Sequence, residues 1–321
     1  MNSPVAGSRS AFRKRRCWLT ACALVIVAVV LAGWYWLRVP ASGDLAQSAV
    51  IDGRSRQWLV HVPAGYRAGH AVPLVIAFHG HYSSPERMVH LTGLDRVADR
   101  SGFIVAYPAG IDQSWAAGVD SRADKAGVDD VAFTRALLDR LQAQYRIDPH
   151  HVLLTGFSNG AHLVQLLGCR LADRVTAIVP VSGTPAPSLM ASCHPARPLS
   201  VIEFHGTSDP IDPFEGGRIH VPGGGEVLPV PATMGDWAVA NHCSTTSRDA
   251  AVGAASDDGI EVTRRDYPDC HSGVQVALYE IAGGGHTWPG GPQYLPRFLI
   301  GKATHVVDAS DLIGKLVSGS P

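Results

Sequence analysis

Positive charge is what most of this chain lacks. Of its 27 Lys and Arg residues, six (Arg9, Arg13, Lys14, Arg15, Arg16 and Arg38) fall in positions 1–38, which hold no acidic residue; positions 39–321 keep 21 against 28 Asp and Glu. A body that acidic repels a polyanion, and no basic helix or aromatic–basic patch relieves it, so nucleic acid is excluded as a partner. None of the six cysteines stands in C-x-x-C spacing, which argues against zinc and thiol-redox roles. Internal repeats are absent, and no Thr-rich or Ser/Pro-rich linker leads to a separate binding module. What remains, 321 residues of which 46% are hydrophobic, suits one large α/β core.

The basic residues belong to a different feature. Arg13-Lys14-Arg15-Arg16 precedes an uncharged stretch over 17–37, closed by Arg38. At about 1.5 Å per residue such a helix reaches across a bilayer core of about 30 Å. Trp34, Tyr35 and Trp36 stand where an interfacial belt lies, and the upstream charges orient the body outward. The expected organisation is a cytoplasmic basic terminus (1–16), a signal anchor (17–37), a polar link (38–47) and a catalytic domain (48–321). Cleavage after the weak Val30-Leu31-Ala32 site, with secretion, is the alternative. The Leu19-Thr20-Ala21-Cys22 box comes before the apolar run and is rejected as a lipoprotein signal. Export leaves Cys169, Cys193, Cys243 and Cys270 in an oxidising compartment, and of their three pairings Cys169–Cys193 and Cys243–Cys270 close the short loops.

Strands and helices alternate through the body. Apolar runs over 73–78, 103–107, 151–155, 177–181, 199–204 and 274–281 read as strands buried on both faces, and 57–62 as an early strand. Helical spacing covers 86–100, 129–145 (capped by Asp129 or Asp130), 159–171, 231–241 and 309–317, while 250–259 reads as an exposed loop. This order predicts a mostly parallel sheet with helices on both faces.

The chemistry starts at Gly156-Phe157-Ser158-Asn159-Gly160, the one G-x-S-x-G in the chain. A buried strand enters it and a helix leaves it, the setting in which glycines permit a sharp turn that exposes a serine nucleophile. A serine hydroxyl needs a base, and the base needs an acid to hold it. Asp209, in His205-Gly206-Thr207-Ser208-Asp209-Pro210 at the end of a strand, fits the acid, with Asp212 as its rival. His286 fits the base because its strand runs into Gly283-Gly284-Gly285-His286-Thr287-Trp288-Pro289-Gly290-Gly291. His205, His242, His271 and His305 lack that setting or that order. An oxyanion hole takes backbone N–H groups, here those of Asn159 and of His81 in the loop after Phe78. His79 and His81 lack a third ligand, so no metal is assigned and no organic cofactor is required. Trp288 and Trp115 are candidate walls of a substrate pocket.

These motifs, in this order, resemble the polyhydroxybutyrate depolymerase-like and feruloyl esterase family of secreted α/β-hydrolases. The resemblance spans roughly 50–315 and includes 74–80, Tyr107-Pro108-Ala109-Gly110, Val128-Asp129-Asp130-Val131, the serine motif, 205–210 and 283–294. It implies an α/β-hydrolase fold and ester hydrolysis through an acyl-enzyme on Ser158, Asp209 and His286, acting on a small ester, a hydroxyalkanoate oligomer or an aromatic ester. It favours the same two disulfides. Three positions depart from the family pattern: His81-Tyr82 replaces a loop richer in glycine or carrying Cys, Ala116 follows Trp115 where Asn is common, and His162 stands where Gly or Met is expected.

Overall fold

The computed structural model describes residues 45–222, 224–255 and 259–319; the stretch 17–37 expected to span a membrane lies outside them. Among the described residues no helix is long and apolar enough to cross a membrane.

Among the described residues, ten strands form one sheet in the order β1-β2-β4-β3-β5-β6-β7-β12-β11-β10. They are β1 (Leu45–Ile51), β2 (Arg54–His61), β3 (Val72–Phe78), β4 (Ile104–Pro108), β5 (Ile147–Phe157), β6 (Ala177–Val181), β7 (Ser200–Gly206), β10 (Arg248–Ala251), β11 (Glu261–Tyr267) and β12 (Val276–Ala282). The two-residue strands β8 (Gly217–Arg218) and β9 (Glu226–Val227) pair separately. The six central strands, from β4 to β12, run parallel, while β1, β2, β11 and β10 add antiparallel edges.

The apolar runs are explained by the two cores they separate. Along β3, Leu74, Ile76 and Phe78 enter one cluster and Val75 and Ala77 the other, as the two-residue period of a strand demands. Helices Asp130–Gln144, Asn159–Arg170 and Val230–Ala240 cover the first core, and Ala309–Ser318 with the 85–101 region covers the second.

That region is two helices and not one. Pro85–Thr92 ends at Gly93, whose φ of 58° lies in the left-handed region and whose N–H caps Val89, and Leu94–Ser101 starts afresh. The edge strands were the other elements that apolar runs did not reveal. Four of the seven residues of β11 are charged (Glu261, Arg264, Arg265, Asp266), and β1 is largely exposed and begins at Leu45, inside the expected polar link. The exposed loop expected over 250–259 begins within β10. Cys169 is bonded to Cys193 and Cys243 to Cys270, as loop length favours.

Candidate active site

Ser158 sits between β5 and the helix Asn159–Arg170 with φ 56° and ψ −120°, a conformation costly for any residue with a Cβ. The surroundings hold it there. Its N–H donates to Val181 O of β6 at 2.9 Å, and its carbonyl accepts from His162 N at 3.0 Å. The flanking glycines are obligatory: a Cβ on Gly156 would overlap the Gly160 carbonyl, and one on Gly160 the Phe78 carbonyl at the end of β3.

The sheet brings Asp209 and His286 to the same end. β7 and β12 are parallel neighbours, and beyond them Gly206 lies so close to Gly284 that a Cβ would strike its carbonyl. Across this contact His286 Nδ1 stands 2.8 Å from Asp209 Oδ2. The other carboxylate oxygen accepts the N–H groups of Ile211 at 2.8 Å and Asp212 at 2.9 Å. Burial opposes ionisation of Asp209, but the charge and hydrogen bond of His286, with His205 and the Asp212 N–H, outweigh it and hold its carboxyl below the ordinary range. His286 packs its ring 4.8 Å from that of Phe157, and its carbonyl accepts from the Tyr294 hydroxyl at 3.2 Å. The rival acid, Asp212, is turned elsewhere: its Oδ2 lies 2.6 Å from His162 Nε2.

His79 pins the loop after β3. Its Nδ1 bonds the Gly80 carbonyl at 2.8 Å and its Nε2 accepts the Gly110 N–H at 3.0 Å, so neither nitrogen is available to a metal. Burial, partly offset by the Gly80 bond, lowers its pKa to about 4, which matches the neutral ring that this pattern requires. Gly80 then presses against Phe157 and Ser158, and His81 lines the same cavity as Ser158. Asn159 is fixed by its side chain, which accepts from Trp115 N at 2.7 Å and donates to Trp115 O at 3.2 Å.

A small cavity of about 70 Å³ is lined by Ser158, Asn159, His81, His162, Arg122 and Lys125 among others, with Val119, Ile211, Ile219 and Val221 as apolar walls. The tryptophans expected to line a pocket are elsewhere. Trp288 is fully buried in the second core with its indole N–H on Ser310 Oγ at 3.0 Å, and Trp115 is fully buried with its N–H on the His79 carbonyl at 2.8 Å. An aromatic beside glycines gave no sign of which side the fold would face it.

Two buried networks were not legible in the sequence. Arg56 bonds Asp130 at 2.5 Å, and Asp130 also accepts from Ala116 N at 2.7 Å, tying the loop that holds Asn159 to β2. Behind Asp209, Trp237 donates to Gln165 and Gln165 to Glu203, each at 2.7 Å. Glu203 Oε1 lies 3.2 Å from His205 Nδ1, while His205 Nε2 lies 2.9 Å from the Asp212 carbonyl. Glu203 and His205 share a face of β7, but the other side-chain pairs span 38, 72 or 74 residues and carry no local signal.

The likeness to known proteins agrees with this architecture. The family model Esterase PHB depolymerase matches residues 57–215. A protein named "Putative esterase NocK" from Nocardia uniformis subsp. tsuyamanensis is 33% identical over 258 residues, 77% of this chain and 74% of its own length. Feruloyl esterase B of Piromyces equi is 29% identical over 239 residues, 72% of this chain but 42% of that longer protein. Among solved structures, an acetyl xylan esterase from Aspergillus awamori matches in fold, with a TM-score of 0.53 over 76% of this chain and 94% of that one at 13% identity. With its doubly covered sheet and strained serine turn, the chain belongs to the polyhydroxybutyrate depolymerase-like and feruloyl esterase family of α/β-hydrolases.

Proposed function

We propose that this chain hydrolyses carboxylic esters through an acyl-enzyme, with Ser158 as nucleophile, His286 as general base and acid, and Asp209 as the residue that orients His286. The observation that carries the reading is the 2.8 Å bond between His286 Nδ1 and Asp209 Oδ2 beside a serine held at φ 56°. A carboxylate on Nδ1 keeps the proton there, which leaves the Nε2 lone pair to accept the Ser158 proton as the hydroxyl attacks the ester carbonyl. The N–H groups of His81 and Asn159 stabilise the oxyanion, His286 protonates the departing alcohol, and water activated by the same ring releases the acid. No metal or organic cofactor enters these steps.

Ser158→Ala removes the nucleophile and is expected to abolish p-nitrophenyl butyrate hydrolysis with the circular dichroism spectrum unchanged. Activity near wild type in that variant would refute the triad. Labelling of Ser158 by a fluorophosphonate separates a working site from a tethered binding protein that kept the fold and lost turnover.

For substrate, the family match supports hydroxyalkanoate esters. The likeness to Feruloyl esterase B supports a second reading, an ester of a plant polysaccharide. Comparing 3-hydroxybutyrate oligomers, methyl ferulate and acetylated xylan decides between them. The two disulfides support an extracytoplasmic catalytic domain, and the uncharged stretch 17–37 supports its tethering by a signal anchor.

A further inference from the structure

His162, the departure from the family pattern in the serine helix, has no part in the steps above. Its N–H donates to the Ser158 carbonyl, so it stands directly behind the nucleophile, and its side chain is 3% exposed. The ring is gripped along one edge. Nε2 lies 2.6 Å from Asp212 Oδ2, and Cδ2 packs on Gly183, where a Cβ would come within 3.0 Å. The opposite edge carries Nδ1, which is buried without a hydrogen-bond partner. His162 also lines the cavity that contains Ser158, Asn159 and His81. An unpaired buried nitrogen is costly, and the residue that carries this one lines the cavity that contains the serine.

We propose that His162, positioned by Asp212, reads a hydroxyl on the acyl group of the substrate. This rests on Ser158 being the nucleophile. The acyl side is indicated because the cavity wall includes the serine and the oxyanion residues but not His286, against which the leaving alcohol must lie to be protonated. The hydroxyl follows from the ring. With Nε2–H donated to Asp212, Nδ1 accepts if the imidazole is neutral and donates if it is charged; a hydroxyl satisfies either state, whereas a carboxylate or an ammonium satisfies one. The walls formed by Val119, Ile219 and Val221 suit the carbon chain that carries it. Asp212 N also donates to Asp209 Oδ1, so one turn delivers one carboxylate to the base and the next to the reader.

The test compares kcat/KM for methyl butyrate with that for methyl 2-hydroxybutyrate and methyl 3-hydroxybutyrate. Wild type is expected to favour one hydroxylated ester by about tenfold or more, and His162→Met to bring that ratio towards one. If His162→Met does not fold, Asp212→Asn, which loosens the ring at nearly constant volume, is expected to lower the same ratio. A wild-type ratio of one or less for both hydroxy esters overturns the proposal, as does an unchanged ratio in a folded variant. Failure of the triad appears separately, as undiminished hydrolysis of all three esters by Ser158→Ala, and turnover of none by wild type overturns both readings.

Discussion

Asp209 and Asp212 are three residues apart on one turn, and the whole division of labour at the site depends on which histidine each meets. Asp209 meets His286, so its replacement by Asn would supply a donor where an acceptor is needed and favour the wrong tautomer of the base. Asp209→Asn is expected to lower kcat by about 10³–10⁴-fold with the fold intact. Measured activity within tenfold of wild type would take the role of acid from Asp209. Chain order after Ser158 and the strand end before it were enough to prefer Asp209 from sequence. The partner of Asp212 was not legible, because His162 and Asp212 lie 50 residues apart and touch only once the serine helix packs beside the turn after β7.

At the scale of elements, loops carry the site and buried polar bonds hold the loops. The Arg56–Asp130 pair joins β2 to the start of helix Asp130–Gln144 and, through Ala116, to the loop around Trp115. Asp129, and not Asp130, caps that helix by accepting from Ala132 N at 2.8 Å, which frees Asp130 for the interior. Burial, offset in part by Arg56, raises the pKa of Asp130. Asp130→Ala leaves Arg56 charged and buried without its partner and is expected to cost about 3–5 kcal/mol in urea unfolding. Displacement of Asn159 should lower kcat at the same time. A loss under 1 kcal/mol would mean that water or another group takes over the guanidinium. Central strands were readable because burial on both faces leaves only apolar side chains. The edge strands β1, β10 and β11 were not, since an edge that meets solvent admits Arg, Asp and Glu. The break at Gly93 was hidden because apolar spacing continues across it; only the left-handed turn shows that the axis changes.

For the whole molecule, two buried histidines set a stability window in pH. Burial lowers the pKa of His79 to about 4 from 6.5, so between those values the unfolded chain binds a proton that the folded one refuses, and stability falls as pH drops from 6.5 towards 4. His205 is the opposite case. Burial disfavours its charge, but Glu203, Asp209 and Asp212 surround it and raise its pKa to about 9. Both its nitrogens face acceptors, as a doubly protonated ring requires. The stability it contributes is complete below 6.5 and is lost as pH rises through about 9. Urea unfolding from pH 4 to 9 is expected to show a maximum near the middle of that range, and a flat profile would contradict both assignments. Each disulfide closes a loop of about 25 residues (separations 24 and 27), worth about 3 kcal/mol, so reducing either one should lower Tm by several degrees.

The sequence by itself determined the fold class, the serine turn, the strand ends that carry Asp209 and His286 and the four paired cysteines. Each of these depends on local pattern: continuous apolar runs, glycines where a Cβ cannot fit, and loop lengths. Tertiary structure alone decided that Trp115 and Trp288 are buried away from the cavity, that His79 clamps a loop, that Gln165 meets Glu203 beneath Asp209, and that Asp212 holds His162. Those outcomes turn on which side chains meet across the sheet after long separations in the chain, and there burial and hydrogen bonding act between residues that no local pattern connects.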